Sequence, residues 1–305
     1  MLVAIDNGYW ATKLYSKDQK FSILSRVEES EEITRGEGRY QIEYDGRKYL
    51  VGDDISSYEI ENDKTKSLFH KILTLAALAK TTDVTASYDV VAGLPINLYT
   101  SQKDSFAEYL KTKGKEEVKI NGSSKFIEIK NVKVFPQGAG TLYGMGAENY
   151  KNKRVAIIDI GGYTIDGCVF NNLNLINDSM FTEDYGTHRL FNKIAAKINS
   201  RHFLNVKEES MQDVIKNGIH KQGKALNVNT EIRDAVLDMV SMIVRKCKSF
   251  GWELDNLDVI FTGGGVKIDQ IQSIIKDSIP QAIFADDSVY TNVKGFYRVG
   301  EVIYK

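Results

Sequence analysis

An aspartate that closes an apolar strand and is followed by a glycine-bearing turn puts a carboxylate and several backbone N–H groups at one point. This sequence does so twice, in AIDNGYWATK (Ala4 to Lys13) and in AIIDIGGYTIDG (Ala156 to Gly167). Glycine lets the main chain come within contact distance of a bulky anion. A carboxylate beside it can hold, directly or through water, the Mg²⁺ that accompanies a phosphate. In the first turn Asp6 would join the magnesium shell, Gly8 to Ala11 would wrap a β-phosphate, and Lys13 would reach the phosphates as a point charge. In the second, Asp159 would be the other magnesium carboxylate, with Gly161, Gly162 and Thr164 near a γ-phosphate. Either turn alone also reads as an ordinary hairpin. The pair, at matching places in a repeated pattern, reads as a clamp on a triphosphate.

A third element is IFTGGGV, Ile260 to Val266, where an apolar strand runs into Gly263, Gly264 and Gly265 and then into a helix. Three glycines let a flat base or an α-phosphate lie against the main chain, and the following helix start favours an anion. Other reactive residue types show no such arrangement. His70, His188, His202 and His220 lack ligand spacing and read as surface or hydrogen-bonded core histidines. Cys168 and Cys247 stand apart, with no C-x-x-C pair, and read as small core residues in a reducing compartment.

Stepping along the chain, LVAID, ATKLYS and KFSILSRV are apolar stretches broken by turn signals and suit an antiparallel meander. RVEESEEIT reads as an acidic loop, and RYQIEYDGRKYLVGD as a hairpin closed by Asp45-Gly46. Thr65 to Lys80 has helical spacing with apolar residues all round, which predicts a helix packed on both sides. YDVVAGLP (Tyr88 to Pro95) is a short buried strand, Ser101 to Lys113 an amphipathic helix, and KTKGKEEVK between them and the strand VKVFP a solvated face. QGAGTLYGMGAE opens as a loop and continues as a helix with small residues on one side. The pattern then restarts: strands Val155 to Asp159, Ile165 to Phe170 and Leu173 to Ser179, and a helix from Gly186 to Ser200. A long helix (Thr230 to Phe250), the strand DVIFT, a helix from Val266 to Asp277 and a terminal helix complete the second half. Repetition of this kind predicts two related α/β halves with a cleft between them, 1–150 and 151–305. A hairpin insertion at about 28–64 decorates the first half, and a terminal helix at about 291–305 returns toward it.

Composition excludes several classes. The 305 residues carry 40 basic and 41 acidic side chains, a formal charge of −1, so no basic surface for direct nucleic-acid binding is expected. No apolar run approaches the length of a membrane span, and the N-terminus enters a strand without a signal-peptide pattern. A cytoplasmic protein without membrane contact is the expectation.

The ordered set AIDNGYWATK, VFPQGAGTLYG, AIIDIGGYTIDG, IFTGGGV and TNVKGFYRVG resembles the five nucleotide-site motifs of the actin, Hsp70 and sugar-kinase superfamily, end to end along the chain. The size, the hairpin YQIEYDGRKYLVGDD and GLPINLY are similar to the actin-like ATPases of the ParM group. The resemblance implies an α/β, actin-like (ribonuclease H-like) duplicated two-domain fold with a nucleotide cleft between the halves. It also implies ATP or ADP as ligand, with GTP left open, and Mg²⁺. Carried over residue by residue, the first phosphate motif covers Asn7, Gly8, Tyr9, Trp10, Ala11, Thr12 and Lys13, and the second Gly161, Gly162, Tyr163 and Thr164. The adenosine motif covers Gly263, Gly264, Gly265 and Val266; Gly186 begins the helix bordering the ribose. Gln137 falls where the attacking water is oriented, with Asp159 as its catalytic partner in the metal shell. Tyr9, Trp10 and Tyr163 are bulkier than such turns usually carry.

The function so implied is an ATPase, slow because a glutamine is no strong base, that polymerises into nucleotide-dependent filaments for plasmid or other DNA segregation. Its partners would be further copies of itself and a DNA-binding adaptor. Two alternatives stay open: a small-molecule kinase of the same superfamily, for which GLPINLY offers no substrate base, and a non-polymerising nucleotide-binding scaffold.

Overall fold

The structure is a computed structural model that describes residues 1–31, 36–55 and 63–305. Parts of the predicted acidic loop and of the insertion at 28–64 lie outside the described residues. The chain divides into two units, Met1–Ala147 with Tyr290–Lys305, and Glu148–Val289.

The first unit is built on nine strands: β1 (Leu2–Asn7), β2 (Ala11–Tyr15), β3 (Lys20–Leu24), β4 (Val27–Glu29), β5 (Arg39–Tyr44), β6 (Arg47–Gly52), β7 (Thr85–Leu94), β8 (Glu116–Ile120) and β9 (Ser123–Pro136), in the order β3-β2-β1-β7-β9-β8-β5-β6-β4. β1 pairs antiparallel with β2 and parallel with β7, and β7 pairs parallel with β9. The carboxyl ends of β1, β7 and β9 therefore lie side by side, the end of a parallel sheet where ligands are bound in α/β folds.

Helix α1 (Leu68–Ala79) is capped by Ser67, whose hydroxyl accepts from the His70 N–H, and ten of its twelve residues are buried. Its all-round apolar pattern is explained by this burial: it packs into the core with Val3, Ile5, Val90 and Ala92. Helix α2 (Ile96–Leu110) starts directly after Pro95 and not at Ser101. Proline holds the preceding residue extended, ending β7 at Leu94, and its fixed φ suits a helix start. The short helix α3 (Ala139–Gly144) follows β9.

One expectation is overturned here. Within KTKGKEEVK, β8 is an interior strand between β9 and β5, with Val118 fully buried. Alternation explains it: Val118 and Ile120 turn inward while Lys119 reaches Glu43 at 3.1 Å on the other side.

The second unit repeats the central arrangement with β10 (Arg154–Ile160), β11 (Ile165–Asn171), β12 (Asn174–Leu175), β13 (Phe181–Glu183), β16 (Asp258–Thr262) and β17 (Ala282–Phe284). Like β1, β10 has an antiparallel neighbour on one side, β11, and a parallel one on the other, β16. A strand with hydrogen-bonded neighbours on both sides and helices on its faces must be apolar throughout, which is why LVAI and VAII read alike. The predicted strand Leu173 to Ser179 shrinks to β12 and a 3₁₀ turn at Asn177–Ser179. Helices α4 (Thr187–His202), α5 (Met211–Asn217), α6 (Asn229–Ser249) and α7 (Asp269–Ser278) and a separate hairpin, β14 (Ile219–Lys221) with β15 (Lys224–Leu226), complete the unit. Its core runs from Ile158 and Ile160 through Leu190 and Ile194 to Val236 and Ile243. Both cysteines are buried, and desolvation pushes the Cys247 thiol up to about 12 and Cys168 higher still, so neither is nucleophilic near neutral pH.

The last helix, α8 (Thr291–Ile303), belongs to the first unit. It covers the sheet face opposite α1, where Val293 and Phe296 pack with Ala4 and Val91. Glycines bring it against α3: a Cβ on Gly295 would lie 1.8 Å from the Gly140 carbonyl oxygen. Among the described residues, no helix is long and apolar enough to cross a membrane.

Candidate functional site

In the first unit the candidate residues converge at the ends of β1 and β9. Asp6, 2% exposed, is the penultimate residue of β1, and Lys13 stands opposite it on β2. The Lys13 Nζ donates to Asp6 Oδ2 at 3.3 Å, and Gln137, immediately after β9, donates from Nε2 to Asp6 Oδ1 at 2.6 Å. Gln137 is held in turn by its own N–H, which donates to the Leu94 carbonyl at the end of β7. Gly93 leaves room for this meeting, since a Cβ there would strike Phe296 and come within 3.1 Å of Asp6 Oδ1. Asp6, Lys13 and Gln137 are thus brought together from three segments.

The rest of the first turn is braced from behind. Asn7 donates to Thr74 Oγ1 on α1 at 2.9 Å, and Thr12 shares a hydrogen bond with Ser25, whose hydroxyl donates to the Gly8 carbonyl at 2.6 Å. The two bulky residues part company. Tyr9 turns toward His70, with ring centroids 6.3 Å apart, whereas Trp10 is exposed with the Arg26 guanidinium over its ring. Ala11 and Thr12 continue into β2.

Sequence reasoning missed Lys64. It is fully buried, donates from Nζ to the Asn7 carbonyl at 2.7 Å and sits 4.3 Å over the Tyr9 ring. A lysine in a polar stretch carries no periodic signal that would reveal this. It also missed the state of His70, which is fully buried with neither ring nitrogen hydrogen-bonded, against the expectation of a hydrogen-bonded core histidine. Burial, and then the Lys64 charge, hold its pKa well below the ordinary value, so the ring is neutral.

In the second unit the second turn, Gly186 and the triple glycine come together. Asp159 lies opposite Asp166 in the β10–β11 register. Asp166 accepts from Thr164 Oγ1 at 2.9 Å and from Thr182 Oγ1 at 2.6 Å, which fixes the threonine that ends the turn. Gly186 precedes α4 and touches the turn directly: a Cβ on it would lie 2.3 Å from the Gly162 carbonyl oxygen. The N–H groups of Thr187 and His188 then donate to the Gly161 and Gly162 carbonyls. Tyr163 is buried against His188, ring centroids 5.3 Å apart, away from solvent.

The triple glycine serves two ends. Gly263, at φ +90°, and Gly265 are glycines for packing, since a Cβ would lie 2.2 Å from Asp159 Oδ1 at the first and 2.3 Å from Ile160 at the second. Gly264 is exposed, and a Cβ on it would meet nothing within 4 Å. Val266 is fully buried and anchors the segment. Lys221 is engaged by the protein, donating to the His202 carbonyl.

These features fit a phosphate-bearing ligand. The main chain at Gly264 is open, and at Gly161 a Cβ would meet only Thr164 atoms, so the backbone is approachable at both. No group of three or more His, Cys, Asp or Glu side chains that could hold a metal forms among the described residues. A single carboxylate at a turn suits a Mg²⁺ that arrives with phosphates and keeps its waters.

Comparison with known proteins bears on both units. The family model for the N-terminal domain of actin-like proteins matches residues 4–140, and that for the C-terminal domain of the archaeal MreB-like actin homologue matches residues 157–272. No curated protein matches the chain by sequence. Among solved structures, the chain is similar to an archaeal actin homologue, Ta0583, with a TM-score of 0.86 and 19% identity over 99% of each chain. It is similar to Alp12 in its filament structure, with a TM-score of 0.76 and 23% identity over 100% of this chain and 99% of that one. The ParM of a 15-stranded filament from Clostridium botulinum gives a TM-score of 0.78 and 19% identity over 99% of each. At such identities the likeness is one of fold.

Proposed function

This chain belongs to the actin-like proteins, and on that premise we propose that it binds and slowly hydrolyses ATP with Mg²⁺ and assembles into nucleotide-dependent filaments. The observation that carries the reading is the 2.6 Å hydrogen bond from Gln137 to Asp6 at the end of the parallel strands, with Lys13 on the other carboxylate oxygen. Support also comes from the archaeal homologue, which has been solved in complex with ADP, and from Alp12 and the Clostridium botulinum ParM, which form filaments.

Bound Mg-ATP would supply the electrophilic γ-phosphoryl group and the metal charge that its transfer needs. Asp6 and Asp159 are the carboxylates we assign to the metal. Both oxygens of Asp6 already accept hydrogen bonds, so its contribution is best made through a metal-bound water. Gly161, Gly162 and Thr164 would meet phosphate oxygens with main chain and hydroxyl, and Gly264 would let the nucleoside lie against the backbone. Gln137, its Nε2 given to Asp6, presents Oε1 as the acceptor that orients a water. An amide takes up no proton near neutral pH, so the residue accelerates hydrolysis by position alone and turnover is slow.

Filament growth with ATP and weakening after hydrolysis would make assembly a timer, and segregation of plasmid or other DNA through a DNA-binding adaptor is the use we assign to it. The near-neutral charge balance, 40 basic against 41 acidic residues, favours an adaptor over direct DNA contact. The test is light scattering and pelleting of the purified protein with Mg-ATP, Mg-ADP or no nucleotide across a concentration series. Scattering above a critical concentration with the triphosphate, decaying as phosphate appears, is expected. A protein that binds ATP but never pellets would overturn the filament reading and bring the kinase and scaffold readings forward.

A further inference from the structure

Gln137 can orient a water only if its backbone is fixed, and what fixes it comes from the far end of the chain. We propose that Asn292, on α8, is the positioning residue of Gln137. The inference rests on the hydrolysis reading above.

Gly138, next after Gln137, has φ +89° and ψ −52°, a conformation that residues with a Cβ avoid. It turns the chain out of β9 and into α3, and so sets where the Gln137 side chain leaves the backbone. Its N–H donates to Asn292 Oδ1 at 3.2 Å. This hydrogen bond joins residues 154 apart in sequence and is buried.

Asn292 is 3% exposed, and its Nδ2 has no hydrogen-bond partner. A buried unpaired amide is costly, and an apolar side chain of the same size would avoid that cost. The oxygen therefore accounts for the amide. The same side chain also meets α3 so closely that a Cβ on Gly140 would lie 2.3 Å from Asn292 Oδ1 and 2.4 Å from its carbonyl oxygen. With α3 and α8 in backbone contact at Gly140 and Gly295 as well, α8 cannot shift without carrying the Gly138 peptide with it. A chain of contacts thus runs from Asn292 through Gly138 and Gln137 to Asp6. The hydrogen bond of Asn292 is with the Gly138 N–H and not with Asp6. It acts on hydrolysis only by aiming the glutamine, and the motif TNVKGFYRVG gains a role beyond packing.

The test uses the full chain with Asn292→Ala and with Asn292→Leu, which keeps the bulk but not the acceptor. Each is made also in a Gln137→Ala background. Single-turnover and steady-state ATP hydrolysis, ADP affinity, and hydrogen exchange at the Gly138 amide are measured. We expect kcat to fall by roughly 10- to 100-fold in both single variants, as misplacement of a reacting group does, with KM and ADP affinity within about two-fold. Gly138 should exchange faster, and neither substitution should slow the Gln137→Ala protein further. A wild-type kcat in a folded Asn292→Leu protein overturns the inference, as does a loss of ADP affinity equal to the loss of rate. Absence of turnover in the wild type overturns the hydrolysis reading itself and the inference with it. Loss of turnover in Gln137→Ala beside normal turnover in the Asn292 variants overturns the inference alone.

Discussion

Asp159 and Asp166 stand directly opposite each other on β10 and β11, at the place where the first unit sets Asp6 opposite Lys13. Directly opposed like charges destabilise an antiparallel pair, and opposed unlike charges support one. The first turn thus pairs its carboxylate with a lysine, whereas the second sets two carboxylates opposite each other and steadies Asp166 with the hydroxyls of Thr164 and Thr182.

Asp166→Ala would leave the Thr164 and Thr182 hydroxyls without their acceptor in a partly buried setting, a loss of roughly 0.5–1.5 kcal/mol. Asp166→Asn keeps an acceptor oxygen and removes the like charge, so its loss should be the smaller. Denaturant unfolding followed by a probe in the second unit checks the ranking. Equal stability of Asp166→Ala and the wild type would mean that the two hydroxyl bonds do not hold the turn.

Asp159→Ala should keep the fold, because the side chain is only partly buried and its removal leaves space beside Gly263. It should abolish hydrolysis and the Mg²⁺ dependence of nucleotide binding. Calorimetric titration with ADP, with and without Mg²⁺, reads the second effect without any turnover. Undiminished turnover in this variant would sink the assignment of the second turn.

His70 sets an acid limit on the first unit. Its folded pKa lies well below 6.5, chiefly through burial and then through the Lys64 charge, so it stays neutral in the fold while the unfolded chain takes up a proton. Stability therefore rises with pH across this range: the contribution is flat well above pH 6.5 and falls as pH drops through it toward the folded pKa. The rings of Tyr9 and Phe69 and the Lys64 ammonium, 4.3 Å over Tyr9, surround the site, and none of these can accept a proton from imidazolium. His70→Leu should flatten the stability profile below about pH 6.5 and cost little at pH 8, since two unpaired ring nitrogens are removed. Unfolding midpoints across pH for both proteins decide it, and parallel profiles would exclude His70 as the cause.

Much of this was legible in the sequence for a physical reason. The central runs of β1 and β10, residues 2–5 and 155–158, are apolar because both faces of the sheet are covered there, and in each the next residue is the aspartate, one place before the strand's last residue. The turns and the triple glycine announce themselves by residue type, and Gln137 is singled out by the resemblance of its motif. β8 did not, because a strand whose outward residues, Glu117 and Lys119, are charged reads as a solvated face until its partners are known. Nor did Lys64, Thr182 or Asn292. Each acts through one contact with a residue far away in sequence, and no local period encodes such a contact. Gly140, Gly144 and Gly295 show the middle case, where small residues along one side of α3 pointed to close packing but not to its partner, α8.

Phe203 ends α4 in the left-handed conformation at φ +52° while 87% exposed. A side chain with a Cβ in that conformation costs about 1 kcal/mol, and glycine is the residue that helix ends use there. Its neighbours are held by other bonds as well: Lys221, whose ammonium lies 5.9 Å over the ring, donates to the His202 carbonyl, and His202 Nε2 lies 3.1 Å from the buried Glu231. The strain is therefore held by the surrounding bonds, and what the ring returns is the exposed contact with the Lys221 ammonium. Phe203→Gly relieves that strain, and the extra freedom glycine brings to the unfolded chain, about 0.4–1 kcal/mol, together with loss of the Lys221 contact offsets most of the gain, so the protein should lie within about 0.5 kcal/mol of the wild type and above Phe203→Ala. Phe203→Ala, which keeps the Cβ, should gain nothing. Chemical unfolding of the two variants beside the wild type makes the comparison, and a Phe203→Gly protein less stable than Phe203→Ala would show that the left-handed turn is not strained.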